Sequence, residues 1–116
     1  MEVAEKGMLA AALWTLTDEE GNPAGDLVSI GAFDPRTRAQ LRGDLHAFVM
    51  SNVDDIAESG LGSEQVGYDF WMDRNGHGVG FWDRGLGEVG IRLSRACEWF
   101  GEVHLELGDD GIVYGM

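Results

Sequence analysis

The sequence is poor in several residue types, and each shortage excludes something. It has one cysteine, Cys97, so no disulfide forms within the chain, and a reducing, cytoplasmic setting is expected. It has two prolines, so most of its turns must come from elsewhere. Lysine is nearly absent: Lys6 is the sole one, and seven arginines supply the remaining positive charge. No apolar run is long enough to span a bilayer; Met8–Leu16 is far too short. Glu2 and Glu5 ahead of that run do not suit a secretory leader.

What is abundant is acid. Twenty-one Asp and Glu face eight Lys and Arg, giving a net charge of −13 over 116 residues. The excess is uneven. Residues 43–73 carry seven acids and no base, and residues 96–116 carry five acids and no base. Residues 36–42 and 74–95 are the two net-positive stretches. Such a field repels nucleic acid and anionic membranes and steers toward basic partners. Surfaces built for solubility usually mix both signs, so the base-free stretches point to an acidic binding face. The length and the 44% apolar content suit one folded domain with one core.

In chain order, Lys6–Thr17 carries Met8, Leu9, Ala12, Leu13 and Leu16 at helical spacing, with Trp14 off the stripe. Asp18–Asp26 is loop chemistry. Asp34-Pro35 starts a helix over about 35–52, with Leu41, Leu45, Phe48 and Val49 on one face. A short acidic helix at Asp54–Glu58 ends at Gly60. In Gly67–Gly87, Tyr68, Phe70 and Met72 alternate with Asp69, Trp71 and Asp73, and Asn75-Gly76 follows. That pattern predicts an aromatic hairpin returning through Val79 and Phe81. The rival is a helix from Ser63 through Asn75, resting on Val66–Phe70 and Gly67–Trp71. Leu86, Val89, Leu93, Cys97 and Phe100 predict a helix over about 86–100. A second hairpin is expected at Val103–Leu107 and Ile112–Tyr114, turning at Gly108–Gly111. The expected fold is α+β: a small antiparallel sheet of two hairpins packed with two to three amphipathic helices.

No catalytic constellation stands out. His77 lies near Asp69, Asp73 and Asp83 in sequence, and an acid/base pair is one reading of it. The other is that His77 and Asn75 hold a turn. Arg74 and Arg84 are expected to pair with Asp69, Asp73 or Asp83, and Trp71 and Trp82 to be core or half-buried. His46, His77, His104 and Cys97 have no zinc-like spacing, and Gly76–Gly80 lacks the Lys-Ser/Thr of a phosphate loop. No metal and no cofactor is therefore expected. Cys97 falls on a buried stripe, and of Trp99 and Phe100 one must face outward, where it would mark a homodimer seam.

The segment Asp69–Arg84, DFWMDRNGHGVGFWDR, closely resembles the DFW-x-x-RNGHG-x-GFWDR signature of small acidic proteins recurring in bacteriophage and mobile-element genomes. The Ala-Leu-Trp run, Asp54-Asp55-Ile56 and the closing GDDG…Y extend the resemblance over most of the chain. It implies a genomic setting more than a mechanism. By size, charge and setting it suggests an anti-CRISPR or anti-restriction inhibitor, some of which mimic nucleic acid. The expected function is non-catalytic: an acidic face covering the basic, nucleic-acid-binding surface of a CRISPR effector subunit or restriction enzyme. The candidate contacts are Asp18, Glu19, Glu20, Asp54, Asp55, Glu58 and Glu64, with Asp109 and Asp110 second. The alternatives are a phage housekeeping protein whose acidity serves solubility, and a small enzyme using His77.

Overall fold

The alanine-rich start forms α1 (Glu2–Thr15), buried through Ala4, Met8, Leu9, Ala11, Ala12 and Leu13. Trp14 lies off that stripe and is exposed, as expected. The computed structural model describes residues 2–18, 20–77 and 79–115. Asp34 caps α2 (Pro35–Ser51): its carboxylate accepts from the Thr37 N–H at 3.1 Å, and Pro35 occupies the first turn. Next come α3 (Val53–Ser59), closed by Gly60 in the left-handed region, and α4 (Ser63–Arg74). Helix α5 spans Glu88–Glu98. Strands β1 (Leu105–Leu107) and β2 (Val113–Gly115) form one antiparallel hairpin, with Glu106 opposite Tyr114. Among the described residues no helix is long and apolar enough to cross a membrane.

The fold is α+β, as expected, but it is mostly helical and the first hairpin is not formed. Tyr68–Arg74 belongs to α4, so the rival helical reading holds. The reason is burial on both sides. Val66, Gly67, Asp69, Phe70, Trp71, Met72 and Arg74 are all buried, leaving no polar face to give a period of 3.6. Asn75-Gly76 is a helix terminus instead of a hairpin turn. Gly76 takes φ +66°, its N–H bonds the Asp73 carbonyl at 3.3 Å, and the His77 N–H reaches back to Met72 at 3.1 Å. This is the Schellman closure, which needs a residue free to adopt positive φ. The expected return strand is a 3-10 turn at Phe81–Asp83, and Gly78 lies outside the described residues.

Helices α1 and α4 make the most extensive contact in the fold. Two glycines allow it. A Cβ on Gly7 would collide with the Glu64 carbonyl, and one on Gly67 with the Ala4 carbonyl. The indole N–H of Trp71 then donates to the Thr15 hydroxyl at 2.9 Å. The Phe48 and Phe70 rings lie 4.7 Å apart, tilted by 30°, and with Phe81 and Phe100 beside them form the centre of the core. The hairpin is tied to the start of α2: Asp34 N–H donates to the Val113 carbonyl and Gly115 N–H to the Thr37 hydroxyl.

Replacing Gly67 by Ala is expected to cost about 3 kcal/mol, because backbone atoms must move to admit the methyl group. Gly43 lies within α2 with open space around it, so Gly43→Ala should stabilise by about 0.5–1 kcal/mol. Urea unfolding of both variants checks the contrast.

Candidate functional site

The signature segment is mainly a scaffold. Asp69 is wholly buried and accepts two bonds from Arg84, both at 2.9 Å, and one from the Gln65 amide at 2.8 Å. Arg74, also buried, donates to the carbonyls of Phe100 and Gly101 and to Asp44 at 3.0 Å. Its guanidinium lies over the Phe70 and Phe100 rings. Asp73 accepts from the Phe81 N–H and the Ser94 hydroxyl, each at 2.9 Å. Burial pushes the Asp73 carboxyl up, against those two bonds. Gly80 takes φ +147°, and a side chain there would strike the Asp73 carboxylate. Asn75 donates to the Trp71 carbonyl and accepts from the Val103 N–H.

Three expectations about this segment change. Arg74 pairs with Asp44 and not with a signature carboxylate. Trp71 is core, but Trp82 is 52% exposed. His77 is exposed, and no hydrogen bond or ion pair joins it to Asp69, Asp73 or Asp83. The Asn75 side chain holds the turn as expected, whereas His77 contributes to it through its backbone N–H to the Met72 carbonyl. His77 instead borders a cavity of about 210 Å³ with Thr15, Asn75, Glu102 and His104. Among the described residues no three ligating side chains are grouped to hold a metal ion. Cys97 is buried as expected, and burial pushes its thiol well above the usual range.

The arginines are largely consumed within the chain. Arg38 and Arg42 both clasp Glu5 of α1, Arg74 takes Asp44, Arg84 takes Asp69, and Arg92 takes Asp55 at 2.9 Å with Glu58 at 3.8 Å. Among the described residues Lys6, Arg36 and Arg95 form no such bridge. The hydrogen bond from Arg42, with those from Arg38, holds the Glu5 carboxyl below its usual range despite burial.

The candidate acids fall into two groups, one at residues 18, 20 and 109 and the other on α3 and at the start of α4. Asp18, Glu20 and Asp109 line an open groove of about 570 Å³ together with Glu106, Leu16, Leu105 and Leu107. Asp18 is fixed by the backbone N–H groups of Glu20 and Asn22 at 2.9 and 2.8 Å; the Asn22 bond is the main cause of its lowered pKa. Glu19 lies outside the described residues. Asp110 turns back into its hairpin, accepting from the Tyr114 hydroxyl at 2.6 Å and from the Ile112 N–H. The hydroxyl bond first, then the N–H, lowers its carboxyl. Asp54, Asp55, Glu58 and Glu64 sit on α3 and at the start of α4, where Glu64 abuts Gly7. Asp55 is neutralised by Arg92, and this bond lowers its pKa. The sequence reading missed Glu106. Its outward place in the alternation of β1 is the signal that marks it.

Arg84→Ala is expected to cost about 3–5 kcal/mol, since it strands a buried carboxylate, while His77→Ala should stay within about 0.5 kcal/mol of the parent. Thermal or urea melts separate the two. Glu5 gives a pH signature. Its folded pKa lies below the unfolded one, so its contribution is complete above the ordinary carboxyl range and is lost as pH falls through the folded value. Asp73, shifted upward, acts in the opposite sense. Glu5→Gln should therefore lower the urea midpoint at neutral pH, and its midpoint should fall less than the parent's between about pH 5 and about pH 3.

Comparison with known proteins returns no match: no family profile, no curated sequence and no solved structure resembles the chain significantly.

Proposed function

We propose that the chain is a non-catalytic, phage-type inhibitor that covers the basic, nucleic-acid-binding surface of a host defence protein. The intended target is a CRISPR effector subunit or a restriction enzyme in the bacterial cytoplasm. One observation carries the reading: five of the seven arginines are engaged by the chain's own carboxylates, while acids from distant segments converge on one groove. The outward field is then dominated by unpaired carboxylates, which favours encounter with a basic surface.

The groove has the features such contact needs. Asp18 is held by backbone donors, so little ordering is required on binding. Glu20, Glu106 and Asp109 present charge around Leu16, Leu105 and Leu107, which add apolar area. Asp54, Glu58 and Glu64, on α3 and in the first turn of α4, offer further carboxylates for such contact.

The test is DNA cleavage by a panel of CRISPR effectors and restriction endonucleases, with and without the chain and with unrelated duplex DNA as competitor. Inhibition is expected for at least one enzyme, relieved by the competitor and weakening steeply between about 50 and about 500 mM salt. The combined Glu20→Gln, Glu106→Gln and Asp109→Asn variant should inhibit at least about tenfold less well. Salt-independent inhibition, or full potency in that variant, would sink the idea.

A further inference from the structure

One edge of the hairpin is open. Its ladder sets Glu106 opposite Tyr114 and Leu107 opposite Val113, and the Gly108 N–H donates to the Ile112 carbonyl at 2.8 Å. Bonded positions alternate along an antiparallel pair. Glu106 therefore exchanges its backbone bonds with Tyr114, and the N–H and C=O groups of Leu105 and Leu107 point away from β2. The same alternation turns the Val113 carbonyl and the Gly115 N–H outward on β2. There the Asp34 N–H donates to the carbonyl, and the Thr37 hydroxyl accepts from the N–H. Strand β1 has no such cover. It pairs with β2 alone, and the outward groups of Leu105 and Leu107 have no partner among the described residues.

The acidic groove follows this edge. Leu105, Glu106 and Leu107 line it in succession, and no residue of β2 does. Successive side chains of a strand lie on opposite faces, so a cavity bordered by all three runs along the free side of the strand.

We propose that an extended basic segment of the partner binds here as a third strand, antiparallel to β1. Such a strand is the form in which the basic surface proposed above reaches the groove, and it rests on that reading. Its residues opposite Leu105 and Leu107 exchange main-chain bonds with them and lay apolar side chains on the same face. The residue between these two stands opposite Glu106 and is Arg or Lys, an opposite-charge cross-strand pair. The next base along the segment falls opposite Gly108, beside Asp109.

Charge selects this occupant. Asp18, Glu20, Glu106 and Asp109 line the groove, and no Lys, Arg or His among the described residues does. None of the four is in an ion pair among the described residues. A second copy adding its own β1 would bring both sets of carboxylates together, and nucleic acid is repelled by the same field. A basic strand neutralises them. Strand β1 is three residues long, so main-chain bonds alone hold a partner weakly and the flanking bases decide the affinity.

Isothermal titration calorimetry on the full chain at about 50 mM salt tests this. The probe is a capped peptide of about seven residues that alternates arginine and valine and has arginine at both ends. Two further peptides keep its charge, one N-methylated at the valines and the other at the arginines. With arginine opposite Glu106, only the valine N–H groups face β1. The unmodified and arginine-methylated peptides are expected to bind alike, and the valine-methylated peptide at least about tenfold more weakly. Glu106→Arg should weaken the unmodified peptide at least about tenfold, with circular dichroism verifying that the variant keeps its fold. No binding of the unmodified peptide up to about 1 mM, equal or reversed affinities of the two methylated peptides, or full affinity in Glu106→Arg would overturn the proposal. Peptide binding without inhibition of any nuclease keeps the third strand and removes the defence target. Nuclease inhibition that excess peptide fails to relieve removes the third strand and keeps the target.

Discussion

Two helices whose backbones touch at a pair of glycines fix the geometry of this protein. Gly7 of α1 lies against the Glu64 carbonyl and Gly67 of α4 against that of Ala4. This close approach brings Trp71 to Thr15 and lets α4 be buried on more than one face. It also accounts for the low visibility of α4 as a helix. An element enclosed by neighbours needs no polar side, so its residues are chosen for individual contacts.

Those contacts are unusually ionic for a chain of this size. Asp69–Arg84 and Arg74–Asp44 penetrate the interior beside a four-phenylalanine cluster, and every buried polar side-chain atom among the described residues has a partner. Buried ion pairs are weak sources of net stability but are costly to break. Here they set direction. The planar Arg74 guanidinium can satisfy two carbonyls, one carboxylate and two ring faces only in one arrangement of α4, α2 and the end of α5. The acid excess is thereby sorted: arginines are drawn inward or onto helix seams, and unpaired carboxylates remain outside.

Much of this was legible from residue order. The Asp34-Pro35 start, the Gly60 stop, the α5 stripe and the closing hairpin all follow local rules that tertiary packing leaves intact. The misread segment is instructive. Tyr68, Phe70 and Met72 alternate by coincidence of burial, and Asn75-Gly76 serves a helix end as well as it serves a hairpin. The α1–α4 glycines carry no periodic signal, because the atoms they accommodate belong to another element's backbone. For the acids, sequence gave identity but not company. Asp18 and Asp109 lie 91 positions apart and share a groove, whereas Asp54 and Asp55 are adjacent and differ in that Arg92 neutralises Asp55.

The end of α4 is finished by residues that come much later in the chain. Arg74 needs the carbonyls of Phe100 and Gly101, and Asn75 needs the Val103 N–H, 26 to 28 positions downstream. Closing so long a loop carries an entropic cost before any bond rewards it. The last turn of α4 is closed locally by Gly76 and His77, but Arg74 and Asn75 are fully satisfied only once α5 docks and carries residues 100–103 into place. Folding of the central helix and of the C-terminal third is coupled in one step, and partial structures should be sparse along the route.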